Sequence, residues 1–172
     1  MNIREALLEP SVQIKSEALK IADYATSSKK RFDELMQCFL SNEYRLQQRA
    51  AWCVSMAARK NKQLIISYVP FLVQQLSRKD VHDAILRNSL RILQEVEIPA
   101  KYFGETMNAC FAFVESATTP IAIKAFALTV LGNIAQHIPE IKNEIKLLID
   151  FQINNASAGF KARAKQVLKQ IN

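Results

Sequence analysis

The stretch IKAFALTVL, residues 123–131, predicts a helix with one apolar face. Ile123 stands four residues before the small residue Ala127, and Val130 and Leu131 stand three and four residues after it. These intervals place the four side chains on the same side of a helix with 3.6 residues per turn. A small residue in the middle of this stripe allows a neighbouring helix to approach closely. The stretch therefore indicates a buried helix that packs against another helix.

The same pattern recurs along the whole chain. Its small residue occupies five positions which, by subtraction of their numbers, are 33, 38, 38 and 37 residues apart: Ala18, Ala51, Ser89, Ala127 and Ala164. Each is followed at the third position by a β-branched residue: Ile21, Val54, Ile92, Val130 and Val167. Four of these segments are preceded by a second predicted stripe: Leu35 and Phe39, Leu72 and Leu76, Cys110 and Val114, Leu148 and Phe151. The recurrence predicts stacked helical hairpins of about 35 residues each.

Three of the segments, IKSEA (14–18), IKAFA (123–127) and FKARA (160–164), resemble the opening of the second helix in HEAT repeats. In that family an aliphatic residue, a basic residue and two variable positions precede Ala. Gln48 and Leu86 depart from the basic position. The resemblance implies an all-α, right-handed α-solenoid of about five antiparallel hairpins. It covers residues 1–172 as a single domain, with approximate repeats 1–27, 28–61, 62–97, 98–137 and 138–172.

Glycine and proline usage agrees with helices joined by short connections. The chain has only 3 Gly and 5 Pro, far less turn chemistry than a sheet protein of this length needs. Four prolines stand where helices are expected to begin: Pro10, Pro99, Pro120 and Pro139. The fifth, Pro70, is expected inside a helix, where the HEAT family tolerates proline and where it would produce a kink.

No arrangement of residues predicts catalysis, a metal site or a cofactor. The two histidines, His82 and His137, belong to no catalytic motif, and the three cysteines have no metal-type spacing. Alkylpurine DNA glycosylases also use HEAT-like repeats, but Trp52 is expected beside the interior stripe of its helix rather than on an exposed ridge. We therefore expect a non-enzymatic protein. The N-terminus lacks a signal-peptide pattern and no apolar run approaches the roughly 18 residues of a membrane span, so we expect the cytoplasm.

The net charge of +7 indicates an acidic partner. On the predicted second helices, Arg49, Arg87 and Arg91 occupy positions that point away from the core stripe, with Lys20 and Arg45 nearby. We expect these five residues to form a basic patch on the concave face of the array. The favoured function is a scaffold or adaptor that binds an acidic protein segment there. The alternatives are a nucleic-acid-binding module, a subunit of a larger complex, and basic residues that are merely solvated.

A second basic set occupies the last repeat. Its five residues form two stripes with intervals of four residues: Lys142 and Lys146, then Lys161, Lys165 and Lys169. Side chains at this interval lie on one face of a helix. A terminal repeat needs a polar outer face, and this set is interpreted as such a solvated cap, with an anionic partner surface as the alternative.

Overall fold

The computed structural model describes residues 1–9 and 11–172, and within these ranges it contains ten α-helices and no strand. The helices are α1 (Ile3–Leu8), α2 (Lys15–Thr26), α3 (Lys29–Phe39), α4 (Tyr44–Lys60), α5 (Val69–Leu76), α6 (Asp83–Leu93), α7 (Phe103–Glu115), α8 (Ile121–Ile134), α9 (Lys142–Ile153) and α10 (Ala158–Ile171). Short 3₁₀ turns precede α5, α7 and α9. None of the helices described is long and apolar enough to span a membrane. The all-α fold predicted from the sequence is confirmed.

The repeated small residues are buried in the contacts between helices. All five are completely buried: Ala18, Ala51, Ser89, Ala127 and Ala164. The β-branched residues that follow them are at most 4% exposed. The preceding stripes are buried as predicted in α3, α5 and α7. A 3.6-residue period with a small central residue was therefore sufficient to identify the core of these helices.

Two residues of the predicted apolar stripes, Ile14 and Phe151, are exposed rather than buried. Ile14 is 52% exposed because α2 begins at Lys15 and Ile14 is an extended residue just before it. In α9 the buried residues are Ile145 and Ile149, whereas Phe151 is 88% exposed. Two residues correspond to a rotation of about 200° around a helix, so Phe151 lies on the face opposite to Ile149. The predicted stripe of α9 was therefore wrong.

Three of the four prolines expected at helix starts are confirmed. Pro120 immediately precedes α8, Pro99 immediately precedes a 3₁₀ turn, and Pro139 begins one. Pro10 lies outside the described residues. Pro70 does not kink a helix, because it stands in the first turn of α5 after a 3₁₀ turn at Ile66–Tyr68. A first-turn residue has no intrahelical acceptor for its N–H, so proline is tolerated there.

The chain divides into two compact units, Met1–Ile92 and Leu93–Asn172. In the first unit α4 packs against α1, α2 and α3, and in the second α8 packs against α7, α9 and α10. Neighbouring helices are thus paired, as expected for helical hairpins. The single domain of five hairpins and its repeat limits stay predictions.

Side-chain amides link the helices of the second unit. Asn133 Nδ2 on α8 donates to the carbonyl oxygen of Gln94 at 3.0 Å, and Gln170 Nε2 on α10 donates to Asn133 Oδ1 at 2.9 Å. Beside them α8 and α10 approach closely at Gly132, where an added Cβ would stand 3.0 Å from Val167 Cγ1. Polar bonds and a close apolar contact therefore hold the same helix pair together.

Candidate binding cleft

A cleft of about 790 Å³ opens in the unit Met1–Ile92. It lies between the α1–α2 loop, the first half of α4 and α6, and its lining residues are Ser11, Val12, Gln13, Tyr44, Arg45, Gln48, Arg49, Trp52, His82, Ala84, Arg87, Asn88 and Arg91. Four of these are arginines, and none of the described lining residues is acidic. The cleft therefore presents a strongly basic surface.

Helical periodicity brings these side chains together. On α4 the lining residues recur at intervals of four in two rows, Tyr44, Gln48 and Trp52 in one and Arg45 and Arg49 in the other. On α6 Asn88 follows Ala84 by four residues and Arg91 follows Arg87 by four, so the lining residues lie on one side of the helix. Each helix consequently turns one face toward the cleft.

Arg49 is a buried residue that anchors the α1–α2 loop. It is only 7% exposed, and its Nη1 and Nη2 donate to the carbonyl oxygens of Leu7 and Ser11 at 2.7 and 2.8 Å. Arg45 Nη2 donates to the same Ser11 oxygen at 3.1 Å, and Gln13 Nε2 donates to the Arg49 carbonyl at 3.1 Å. Arg49 lies on the face of α4 that turns toward the cleft, but it is buried rather than solvated, because its long side chain reaches back to carbonyl groups at the end of α1 and in the following loop.

Burial and the positive charge of Arg45 both affect the pKa of Arg49. Burial lowers the pKa of the Arg49 guanidinium, and the charge of Arg45 lowers it further, whereas Glu17 raises it. Arginine stays protonated at neutral pH despite this change. Two positive charges therefore face the same part of the cleft wall.

Arg87 and Arg91 lie one turn apart on α6. Arg87 is exposed, and within the described residues it has no hydrogen bond or ion pair. Arg91 is half-buried on the same wall. Lys20 is exposed on α2 and is not among the residues described as lining the cleft. The structure thus brings together four of the five predicted site residues and separates the fifth.

Three rings lie among the arginines, a juxtaposition that the sequence analysis did not predict. Trp52 is half-buried and lines the cleft. The Tyr44 and His82 rings meet edge to face, with centroids 5.6 Å apart. The signal was available, because Tyr44, Gln48 and Trp52 follow one another at intervals of four on a predicted helix.

His82 is held by two polar contacts at the start of α6. Its Nδ1 accepts the Ala84 backbone N–H at 2.9 Å, and the Gln48 side-chain amide lies 3.2 Å from its Nε2. His82 therefore orients the rim of the cleft through Gln48 and Tyr44.

Burial makes the cysteine thiols poor nucleophiles. Burial raises the pKa of Cys53 to about 12 and also raises the pKa of Cys38 and of Cys110. In the part of the chain that the structure describes, no group of His, Cys, Asp and Glu side chains could hold a metal ion.

Comparison with known families gives one match. A family model described as a HEAT repeat domain matches residues 4–171. A comparison with curated proteins found no match.

Proposed function

The chain belongs to the HEAT repeat family, and we propose that its basic cleft binds an acidic segment of a partner protein. Domains of this family generally serve as non-enzymatic scaffolds for protein interactions. The observation that carries this proposal is the convergence of Arg45, Arg49, Arg87 and Arg91 on one cleft, among whose described lining residues there is no carboxylate. The protein would act as a scaffold or adaptor without an enzymatic activity of its own.

The electrostatics of the cleft support an anionic ligand. Burial and the neighbouring charge of Arg45 both disfavour the protonated form of Arg49, and an incoming carboxylate would offset this effect. Arg87 offers a guanidinium with no partner in the described chain, which suits a bidentate bond with Asp or Glu. Arg49 contributes charge, but its two Nη groups are already bonded to Leu7 and Ser11.

The rings suit the apolar parts of a peptide. Trp52 and Tyr44 present flat surfaces beside the arginines, so aliphatic side chains of a bound segment could pack there while its acidic groups meet the guanidinium groups. A volume of about 790 Å³ falls within the usual size of ligand clefts, roughly 300–1,000 Å³. We expect a short segment rather than a whole folded domain to enter the cleft.

Single-stranded nucleic acid is the second candidate ligand. Arginines interleaved with Tyr44 and Trp52 are the combination that binds phosphates and stacks bases. A glycosylase-like activity gains no support, because the described lining residues include no acidic side chain to assist the reaction. We also propose a cytoplasmic location, which suits the three buried free thiols.

Salt dependence separates the two ligands. The purified chain is titrated with a short Glu- and Leu-containing peptide and with a short oligothymidine, at several salt concentrations between about 50 and 200 mM. We expect the peptide to bind and to keep most of its affinity across this range. Tight binding of oligothymidine that falls by orders of magnitude, with no peptide binding, would replace the proposal by the nucleic-acid function.

A further inference from the structure

Large apolar side chains are exposed in the unit Leu93–Asn172. Phe151 is 88% exposed, Leu147 71% and Ile121 54%. Leu147 and Phe151 are four residues apart on α9, so they form a ridge on one face of that helix. Exposed apolar groups of this size that lie together mark interaction surfaces.

A groove of about 620 Å³ adjoins this ridge. It is formed by the end of α7, the start of α8, the end of α9 and the start of α10, and its apolar walls include Ile121, Phe151 and Phe160. Phe160 is buried, but Ile121 and Phe151 project enough to contact a ligand. The groove is thus a second concave surface, separate in composition from the arginine-rich cleft.

One cationic side chain is held in this groove by neutral groups. Gln152 Nε2 donates to the carbonyl oxygen of Val114 at 2.6 Å, and Lys124 Nζ donates to Gln152 Oε1 at 3.2 Å. Lys124 is half-buried, and burial lowers its pKa. Glu115 also lines the groove, but no carboxylate of the described residues lies within ion-pair distance of Lys124.

The charge of Lys124 and the apolar walls of the groove together indicate the chemistry of the ligand. An ammonium group in partly apolar surroundings gains more from a carboxylate than from a neutral amide. Two of its three N–H groups stay available beyond the bond to Gln152. The ridge of Leu147 and Phe151 has the one-turn spacing that packs into the side-chain rows of another helix.

We propose that this groove binds an amphipathic helix of a partner protein. Bulky apolar side chains of that helix pack against Ile121, Leu147 and Phe151, and an acidic side chain next to them pairs with Lys124. No described residue lines both this groove and the arginine-rich cleft.

A selection experiment tests this proposal. A displayed library of helical peptides is selected for binding to the wild-type chain. The enriched peptide is then measured against Lys124→Gln and Phe151→Ser, with Lys169→Gln as a control that removes an exposed lysine outside the groove. Peptides selected on the wild type are expected to carry an acidic residue beside bulky apolar residues. The enriched peptide should lose about tenfold or more in affinity for Lys124→Gln and for Phe151→Ser, and should bind Lys169→Gln and Arg87→Glu unchanged.

Replacing the acidic residue of that peptide by its amide gives the decisive comparison. The change should weaken binding to the wild type and have no further effect on Lys124→Gln, because the pairing partner is already absent. An equal loss with both proteins, or selected peptides without an acidic preference, would overturn the proposal. A concentration-dependent dimer that Phe151→Ser abolishes in sedimentation velocity would also overturn it, because a second copy would then occupy the groove.

Discussion

Arg49 on α4 donates a 2.7 Å hydrogen bond from Nη1 to the carbonyl oxygen of Leu7 at the end of α1. A carbonyl group in the last turn of a helix has no intrahelical donor, and the guanidinium supplies one. The same side chain reaches Ser11 in the following loop. Arg49 therefore connects the opening helix to α4 and shapes the loop that forms one wall of the cleft.

Removal of this side chain should destabilise the protein. Arg49→Ala deletes two charge-assisted bonds and leaves the carbonyl groups of Leu7 and Ser11 without these donors, so we expect the free energy of unfolding to fall by about 2–4 kcal/mol. Urea denaturation followed by circular dichroism measures the change. Arg87→Ala is the matched control and should stay within about 0.5 kcal/mol of the wild type. Equal effects of the two substitutions would contradict the anchoring role.

The close approach of α8 and α10 gives a second stability prediction. A side chain at Gly132 would meet Val167 and Gln170, so Gly132→Val should lower the free energy of unfolding by about 1–3 kcal/mol through overpacking. Gly104 in α7 has no atom within 4 Å of an added Cβ, and Gly104→Val should be nearly neutral or slightly stabilising. Thermal unfolding of both variants makes the comparison, and a loss of stability confined to Gly104→Val would refute it.

The buried thiol of Cys53 predicts a dependence of stability on pH. Its pKa rises from an ordinary value of about 8.5 to about 12 on folding, so above about pH 8.5 the unfolded chain releases this proton and the folded chain retains it. Stability linked to Cys53 is complete below that pH and is lost as the pH rises toward 12. Urea titrations at pH 8 and about pH 10 should show a smaller loss in Cys53→Ala than in the wild type. The same loss in both proteins would show that another group is responsible.

The burial of the core could be predicted from sequence because it depends on local periodicity. The position of a small residue such as Ala127 in an apolar stripe requires only the helical repeat. The face that α9 buries could not be predicted in this way, because Leu148 and Phe151 form as good a pattern as Ile145 and Ile149. The neighbouring helices α8 and α10 decide between these faces, and their positions are not local information.

The cleft could be predicted only in part for a related reason. Arg87 and Arg91 were identified from charge and helical position, which the local sequence contains. Whether a long polar side chain such as Arg49 faces solvent or reaches a carbonyl 42 residues away depends on tertiary contacts. The place of Trp52 in the cleft wall was not predicted, because an aromatic side chain is equally suited to a core and to the wall of a cleft.

Binding of a Glu- and Leu-containing peptide to Arg87→Glu is the most direct test of the scaffold function. Arg87 is exposed and makes no bond in the described chain, so its reversal should not disturb folding. Fluorescence anisotropy should show a loss of about tenfold or more in affinity for Arg87→Glu and a change within about twofold for Lys20→Glu, which makes the same charge change outside the cleft lining. Equal losses for both variants, or no peptide binding by the wild type, would contradict the assignment of the cleft to an acidic partner.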